Sequence, residues 1–321
     1  MPGMAVRVVV LDDYQDVARR FGPWGELDRR IELEVIREHI DDEDALVARL
    51  AGAEIVMAMR ERTPFPRSLL ERLPDLRLIV STGRGNAAID VGAAEDLGIV
   101  VSGTDVPTSP TAELTWGLIL AVTRNIVRED SRMRSGGWQD TIGPELSGRT
   151  LGVIGLGRQG SKVAAFGVAF DMDVIAWSQN LDPGHARSQR VEPVTKDELL
   201  RRADVVTLHL RLSERTRGII SAPDLAAMKP TAYLINTSRG PLVDEAALLE
   251  ALRSGSIAGA ALDVYDVEPL PGDHPLRSAP NTVLTPHIGY VTNGTYEVFF
   301  GQAVEDIAAY LDDEPIRVYG S

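Results

Sequence analysis

The sequence predicts an α/β fold of two domains, each built on a parallel sheet. Short apolar runs alternate with amphipathic helical stretches from end to end, as expected for buried parallel strands and the helices that connect them. A proline-rich crossing at residues 104–110 divides this alternation into two series. The 321 residues are enough for two ordinary domains and too many for one comfortable hydrophobic core.

The first series has the pattern of five buried strands. The predicted strands are residues 6–11, 33–36, 55–59, 76–80 and 99–101. Between them, the acidic or amphipathic stretches 42–50 and 66–73 suit helices. After the proline-rich crossing, a long helical pattern runs from Thr111 to about Arg134.

The second series begins at a glycine-rich junction between a strand and a helix. Its predicted strands are residues 151–154, 174–177, 205–210, 232–236, 259–264 and 282–284. The last predicted helix, residues 295–311, leaves this series, and we expect it to return and pack on the first domain. The predicted domains are therefore residues 1–103 with 290–321, and residues 104–289, with a cleft between them.

The glycine-rich junction carries the pattern G-x-G-x-x-G. It consists of Gly155, Leu156, Gly157, Arg158, Gln159 and Gly160. A dinucleotide's pyrophosphate must lie against backbone amides at a helix N-terminus, and glycine allows both the sharp turn and the close approach. Because a strand precedes the pattern and a helix and a second strand follow it, the junction predicts a dinucleotide site. A glycine-rich turn without a ligand is the structural alternative.

Three polar patches follow later strands of the second series, at the edge where open parallel sheets bind ligands. Arg239 can grip a carboxylate with two hydrogen bonds. Asp263, Asp266 and Glu268 offer carboxylates, and His287 is one of only five histidines. A histidine beside a carboxylate can exchange a proton near neutral pH. Taken singly these residues suit a surface ion pair, a turn and a structural histidine, but their joint appearance favours a catalytic site.

Composition excludes several classes of function. The formal net charge of −14 argues against nucleic acid and anionic membranes as partners. The absence of cysteine excludes disulfides and thiolate metal sites, and we predict no metal. The sequence has neither a signal peptide pattern nor a long apolar segment, so we expect a cytoplasmic protein.

The motifs together resemble the D-isomer-specific 2-hydroxyacid dehydrogenase family. The resemblance rests on the glycine pattern and on residues 208–210, 236–244, 260–264, 268–269 and 286–289, which stand in the family's order. It implies a flavodoxin-like substrate (lid) domain and a Rossmann domain that binds NAD(H) or NADP(H). It also implies interconversion of a small 2-keto acid and its D-2-hydroxy acid, and a homodimer formed through the nucleotide-binding domain, with Trp138 at the interface.

The resemblance assigns roles residue by residue. Arg239 would bind the substrate carboxylate, His287 would exchange the proton, and Glu268 would hydrogen-bond His287 and keep it protonated. Asp263 would hold the nicotinamide carboxamide. The other cofactor contacts would be Ser178, Gln179, Asn180, His209, Leu210, Thr216, Thr237 and Gly289. The substrate loop of the first domain would be Gly83, Arg84, Gly85 and Asn86, with Arg60 and Tyr14 as further candidates.

The chain departs from the family at several positions. No acidic residue follows the second strand of the glycine-rich unit, where Ser178 begins the segment, so NAD and NADP both stay open, with NAD slightly preferred. Arg211 stands where the family often has proline, and Tyr290 where it often has a small residue. Arg60 and Arg84 would suit a substrate with a second anionic group, or are surface charges.

Alternative functions on the same fold also fit some of the motifs. Formate oxidation requires glutamine where this chain has Glu268. Phosphite oxidation keeps the Arg239, Glu268 and His287 set and uses a basic residue near Arg84. A nucleotide-sensing corepressor, which is a binding protein and not an enzyme, can also keep these three residues. The presence of Arg239, Glu268 and His287 alone therefore does not distinguish an enzyme from such a corepressor.

Overall fold

The structure, a computed structural model, describes residues 5–319. It contains strands Val6–Val10 (β1), Ile31–Val35 (β2), Ile55–Ala58 (β3), Leu78–Ser81 (β4), Val100–Gly103 (β5), Thr150–Ile154 (β6), Asp173–Trp177 (β7), Glu192–Pro193 (β8), Val205–Leu208 (β9), Tyr233–Asn236 (β10), Gly259–Leu262 (β11) and Thr282–Leu284 (β12).

The α-helices are Ala18–Phe21 (α1), Glu43–Leu50 (α2), Arg67–Leu70 (α3), Val91–Asp96 (α4), Ser109–Thr123 (α5), Ile126–Arg134 (α6), Arg158–Ala169 (α7), Pro183–Ser188 (α8), Lys196–Arg202 (α9), Ala222–Ala227 (α10), Glu245–Ser254 (α11) and Asn293–Leu311 (α12). Short 3₁₀ helices span Trp24–Leu27, Gly240–Leu242 and Pro275–Ser278. In the described part of the chain, no helix is long and apolar enough to cross a membrane.

The chain divides into two compact units. Unit 1 is Met1–Pro107 with Val291–Ser321, and unit 2 is Thr108–Tyr290. The sequence predicts limits after residues 103 and 289, which are four residues and one residue earlier. Because α12 falls in unit 1, the last helix rejoins the part of the chain that precedes the proline-rich crossing.

Unit 1 is built on a five-stranded sheet in the order β2-β1-β3-β4-β5, with every pair parallel. The strand order reverses between β1 and β3, which is the flavodoxin-like arrangement. The residues of β3 and β4 are buried throughout, so these strands read as continuous apolar runs instead of alternating ones. Helix α12 packs against β4 and β5 within this unit.

Unit 2 is built on a seven-stranded sheet in the order β12-β11-β10-β9-β6-β7-β8, again with every pair parallel. Leu151 of β6 pairs with Val174 on one side and Val205 on the other. The order therefore reverses between β6 and β9, as in the Rossmann fold. The predicted fold class, two parallel-sheet α/β domains of these two types, is confirmed.

The predicted long helix from Thr111 to Arg134 is wrong. The segment forms two helices, α5 and α6, separated at Asn125, whose φ of 53° is left-handed. An α-helix cannot continue through this conformation, which asparagine tolerates better than most residues. Helix α6 buries none of its residues, whereas α5 buries several, so the two helices have different surroundings.

Candidate active site

The polar segments of unit 2 emerge at one edge of its sheet. Since all strand pairs are parallel, the residues that follow β6, β7, β9, β10, β11 and β12 lie at the carboxyl ends of neighbouring strands. Strands β9 and β11, predicted to reach residues 210 and 264, end at Leu208 and Leu262. The last two residues of each predicted strand therefore lie outside the strand and belong to the loops at this edge of the sheet.

The glycine pattern between β6 and α7 is sterically determined. A Cβ atom on Gly155 would lie 2.8 Å from the carbonyl carbon of His209, and one on Gly160 would lie 2.0 Å from the oxygen of Gly155. Gly155 also has φ +98°, which favours glycine. At Gly157, by contrast, a Cβ atom would meet no heavy atom within 4 Å. The open side of this loop lies at the N-terminus of α7 and fits a pyrophosphate.

The other residues of the loop differ in burial. Leu156 is buried and Arg158 is exposed, beside the open face at Gly157. The side-chain oxygen of Gln159 is buried and accepts no hydrogen bond from the part of the chain that the structure describes. The loop therefore offers one exposed guanidinium and one buried polar atom next to the predicted dinucleotide.

The turn after β7 contains Ser178, Gln179 and Asn180, the predicted ribose-binding segment. The Oε1 atom of Gln179 accepts hydrogen bonds from Nε of Arg215, at 3.0 Å, and from Nη2 of the same side chain. Sequence reasoning missed Arg215, because this arginine comes from the loop after β9. Residues 178–180 include no acidic side chain. The charged group at this turn is therefore the guanidinium of Arg215, which is bound to the neutral amide of Gln179.

The segment after β9 packs against the glycine loop. His209 lies beside Gly155, and its Nε2 atom lies 2.9 Å from Oγ1 of Thr207. Burial lowers the pKa of His209 to about 4, so the ring is neutral at neutral pH. A Cβ atom on Gly155 would lie 2.9 Å from Cδ2 of Leu210, whose carbonyl accepts a hydrogen bond of 2.6 Å from Ser238.

Thr216 closes its own loop. Its hydroxyl accepts from the backbone N–H of Ser213 at 2.8 Å and donates to the carbonyl of Arg211 at 2.7 Å. The loop that Thr216 braces carries Arg211 and Arg215. The structure therefore gives Thr216 a bracing contact, and it places Arg211 at an exposed position.

The turn after β10 holds Arg239. Asn236 fixes this turn, since its side chain accepts from the N–H of Ser238 at 3.0 Å and donates to the carbonyl of Arg239 at 2.9 Å. A Cβ atom on Gly240 would lie 2.0 Å from the carbonyl carbon of Tyr265, so the Arg239 turn lies directly against the segment after β11. Thr237 bonds Oγ1 of Thr115 in α5 at 2.8 Å.

Asp263 organises the segment after β12. Its carboxylate is fully buried and accepts hydrogen bonds from Oγ1 of Thr285 at 2.5 Å, from N–H of Ile288 at 2.9 Å and from N–H of Gly289 at 2.8 Å. Burial raises the pKa of Asp263, against these bonds and the nearby charge of His287. Both carboxylate oxygens are thus used by the loop on either side of His287.

His287 and Glu268 form a short hydrogen-bonded pair. Nδ1 of His287 lies 2.5 Å from Oε2 of Glu268, and Oε1 of Glu268 accepts from the N–H of Tyr265 at 2.9 Å. Burial alone would raise the pKa of Glu268, but the bond and charge of His287 outweigh it, with a smaller contribution from Arg239, and the pKa lies below its ordinary value. The rings of His287 and Tyr290 meet in a T-shaped arrangement at a centroid distance of 5.8 Å.

The predicted substrate loop lies in unit 1, at the carboxyl ends of β3 and β4. Nη1 of Arg60 donates to the carbonyl of Thr82 at 2.9 Å, and the side chain of Asn86 donates to the carbonyl of Arg60 at 2.6 Å. Arg60 therefore braces this loop. Arg84 is exposed and pairs with Asp105 at 3.2 Å.

Tyr14, the remaining candidate in unit 1, contacts two polar side chains. Its hydroxyl lies 3.4 Å from Oδ1 of Asp12, and the guanidinium of Arg62 lies 4.4 Å from its ring centroid. Burial, followed by the charge of Asp12, raises the pKa of Tyr14 to about 12. Within residues 5–319, no group of three or more histidine, aspartate or glutamate side chains is placed to hold a metal ion.

Comparisons with known proteins show the family to which the chain is similar. The family described as "D-isomer specific 2-hydroxyacid dehydrogenase, NAD binding domain" matches residues 116–289. A glyoxylate reductase of Aeropyrum pernix is 41% identical over 252 residues, which cover 75% of each chain. A D-3-phosphoglycerate dehydrogenase of Methanocaldococcus jannaschii is 40% identical over 316 residues, 96% of this chain, which spans only 58% of that relative's length.

A solved structure is similar over almost the whole chain. The phosphoglycerate oxidoreductase of Vibrio cholerae O395 superposes with a TM-score of 0.92 at 38% identity, covering 96% of this chain and 99% of the other. This chain therefore belongs to the D-isomer-specific 2-hydroxyacid dehydrogenase family, whose members are oxidoreductases that use a nicotinamide dinucleotide.

Proposed function

We propose that this protein reduces a small 2-keto acid to its D-2-hydroxy acid, or catalyses the reverse reaction, with His287 as the proton-exchanging group. The observation that carries the proposal is the 2.5 Å contact between Nδ1 of His287 and Oε2 of Glu268. Because Nδ1 is bound to the carboxylate, Nε2 is the nitrogen that exchanges a proton with the substrate oxygen. The bound nicotinamide supplies or accepts the hydride at substrate C2.

Arg239 binds the substrate carboxylate in this proposal. The contact of Gly240 with Tyr265 brings the Arg239 turn against the segment that carries Glu268, and the charge of Arg239 lowers the pKa of Glu268. A guanidinium in this position offers paired donors to a planar carboxylate and draws electron density from the keto oxygen. Arg239 thereby orients C2, while Glu268 orients the imidazole.

The second carboxylate contact comes from the Gly83 loop, which we define as residues 82–86. In the part of the chain that the structure describes, the backbone N–H groups of Arg84, Gly85 and Asn86 donate to no protein acceptor. Gly83 and Gly85 both have positive φ, at 102° and 79°, and such turns present successive N–H groups to an anion. The bracing contacts of Arg60 and the ion pair of Arg84 leave this role to the backbone.

The direct test is turnover with both cofactors. The purified protein is mixed with NADH or NADPH and with glyoxylate, hydroxypyruvate, pyruvate, phenylpyruvate or 2-ketoglutarate, and the loss of reduced-nicotinamide absorbance is followed. Oxidation of either cofactor with at least one acid is the expected result. Silence across the panel, with cofactor binding intact, would reject the proposal. A parallel mixture with phosphite and oxidised cofactor tests the phosphite alternative, and turnover there would replace the proposed substrate class.

We also propose that NADPH is bound at least as well as NADH. Arg215 lies on Gln179, in the turn where the adenosine ribose of a bound dinucleotide belongs, and the turn has no carboxylate to repel a 2′-phosphate. Because Gln179 is neutral, the positive charge of Arg215 is not cancelled by its partner. This reverses the slight preference for NAD that the sequence alone suggested.

A homodimer through unit 2 is the third part of the proposal. Helix α6 buries none of its residues. Residues 135–149, which connect α6 to β6 and which we call the arm, also expose large apolar side chains. Trp138 is 69% exposed and Ile142 is 97% exposed, and Ile126, Val127 and Met133 are also more than half exposed. An apolar patch of this kind suits a second copy of the chain, which would bury it in a symmetric interface.

A further inference from the structure

The segment that follows α12 pairs with β5, the edge strand of the sheet in unit 1. The carbonyl of Ile316 accepts a hydrogen bond of 3.0 Å from Oγ of Ser102, and the carbonyl of Arg317 accepts one of 3.1 Å from N–H of Gly103. Tyr319 makes the third hydrogen bond of this pairing, since its N–H donates to the carbonyl of Val101 at 2.8 Å. These bonds run antiparallel to β5 and cover the open side of the sheet.

Arg317 anchors this segment to α12. Its Nε atom donates to Oδ1 of Asp306 at 2.7 Å, and its Nη2 atom donates to the carbonyl of Gln302 at 2.9 Å and to Glu305 at 2.7 Å. The side chain of Asp306 is fully buried, so this is an ion pair inside the unit instead of one in solvent. The anchor fixes where the next residues of the chain lie.

Tyr319 reaches from this segment to the Gly83 loop. Its hydroxyl donates to the carbonyl of Gly83 at 2.6 Å. The ring passes over Gly103, where a Cβ atom would lie only 2.5 Å from Cε1 of Tyr319, so only glycine leaves room for it. On its other side, Gly83 donates its own N–H to Oγ1 of Thr104 at 2.9 Å. Both polar groups of Gly83 are therefore held by residues outside the loop.

The Gly83 carbonyl and the Arg84 N–H belong to one peptide plane. In a trans peptide these two groups point in opposite directions, so a bond that fixes the carbonyl also fixes the direction of the N–H. The N–H of Arg84 is the first of the three donors that the proposed function assigns to the substrate carboxylate. Because Gly83 has no Cβ atom to restrict its backbone, the residue itself does not fix the orientation of this peptide plane.

We propose that Tyr319 is a positioning residue for substrate binding: its phenol sets the Arg84 N–H toward the substrate carboxylate. This inference rests on the proposed function of the Gly83 loop. It places no part of Tyr319 on the substrate, and it leaves hydride transfer and cofactor binding to unit 2. Loss of the phenol oxygen should therefore weaken binding of the keto acid without slowing the chemical step of bound substrate.

Tyr319→Phe is the variant that tests the inference, because it keeps the ring over Gly103 and removes only the hydroxyl. We expect KM for the best keto acid to rise about fivefold, the loss that one hydrogen bond represents, with kcat within about a factor of two. Affinity for oxalate, a carboxylate that hydride cannot reduce, should fall by a similar factor in the cofactor-saturated protein. Affinity for the cofactor and the thermal midpoint should stay at the values of the unchanged protein.

Tyr310→Phe is the matched control. It removes a partly buried phenol oxygen from the same unit, on α12, away from the Gly83 loop. We expect it to leave KM and oxalate affinity unchanged. If Tyr319→Phe leaves both quantities unchanged in a protein that turns over keto acids, the inference is overturned while the proposed function stands. A fall in kcat or in cofactor affinity that accompanies a lower thermal midpoint would overturn it too, since that pattern denotes a general structural role.

Discussion

Nδ1 of His287 is bound to Oε2 of Glu268 at 2.5 Å, and this bond leaves Nε2 as the imidazole nitrogen to which the proposed function assigns proton exchange. Further hydrogen bonds hold the segments on which His287 and Glu268 lie. Asp263 ties down Thr285 and the two residues after His287, and the N–H of Tyr265 holds the other oxygen of Glu268. Two carboxylates therefore fix the orientation of His287. Glu268 binds its ring, and Asp263 binds residues on either side of it in the chain.

Replacement of His287 by alanine should abolish proton exchange and spare cofactor binding. We expect His287→Ala to lower kcat about a hundredfold or more, because general acid–base catalysis contributes at least that much in comparable sites. The dissociation constant for NADH or NADPH, measured by fluorescence titration, should change little. An equal loss of cofactor affinity would show that the imidazole serves the dinucleotide and not the substrate.

Replacement of Glu268 by glutamine should change the pH dependence of reduction. The pKa of Glu268 lies below its ordinary value, so its carboxylate is charged at neutral pH, where it is bound to Nδ1 of His287. The amide keeps a hydrogen bond but not the charge. We expect Glu268→Gln to lower kcat/KM about tenfold or more and to move the alkaline decline of keto acid reduction toward lower pH.

The sign of the same effect on stability can be checked separately. A carboxylate with a lowered folded pKa stabilises the fold above its unfolded pKa, and this stabilisation disappears as the pH falls through the folded value. The stability difference between the unchanged protein and Glu268→Gln should therefore shrink on acidification below about pH 4. A difference that is constant with pH in denaturant titrations would contradict the assignment of a charged Glu268.

Arg215 should control the choice between the two cofactors. Without the guanidinium, a 2′-phosphate loses a charge-assisted hydrogen bond, so Arg215→Ala should weaken NADPH about tenfold and NADH much less. Arg253→Ala, which removes an exposed charge at the end of α11 in the same unit, is the control. Ser178→Asp should also disfavour NADPH more than NADH. Unchanged preference in both variants would place ribose recognition elsewhere.

The exposed apolar arm of unit 2 should determine the oligomeric state. Light scattering on the unchanged protein should give twice the mass of one chain. Ile142→Asp, which places a charge on the most exposed apolar side chain of the patch, should shift the mass toward a single chain. Val267→Asp changes another exposed apolar residue outside the arm and should keep the dimer. A monomeric unchanged protein would refute the proposed interface directly.

Eleven of the twelve strands were predictable from sequence, most of them because parallel strands buried on both faces are unbroken apolar runs. The two-residue strand β8, which consists of a glutamate and a proline, was missed because it has no such run. The long helix was not, because the helical pattern continues across Asn125 while one left-handed residue breaks the backbone. The glycine loop was predictable from its strand and helix context. Arg215 and Tyr319 were not, because their partners Gln179 and Gly83 lie 36 and 236 residues away along the chain. Such pairings depend on how loops meet after folding, which composition and periodicity do not encode.

The proposed reaction transfers a hydride from C4 of the nicotinamide to one face of C2 of the keto acid. The most direct measurement uses a reduced cofactor that carries two deuterium atoms at C4 of the nicotinamide, together with the best keto acid from the panel that gives a chiral product. Deuterium at C2 of a product of D configuration is the predicted result. A product of L configuration, or one without deuterium at C2, would contradict the account.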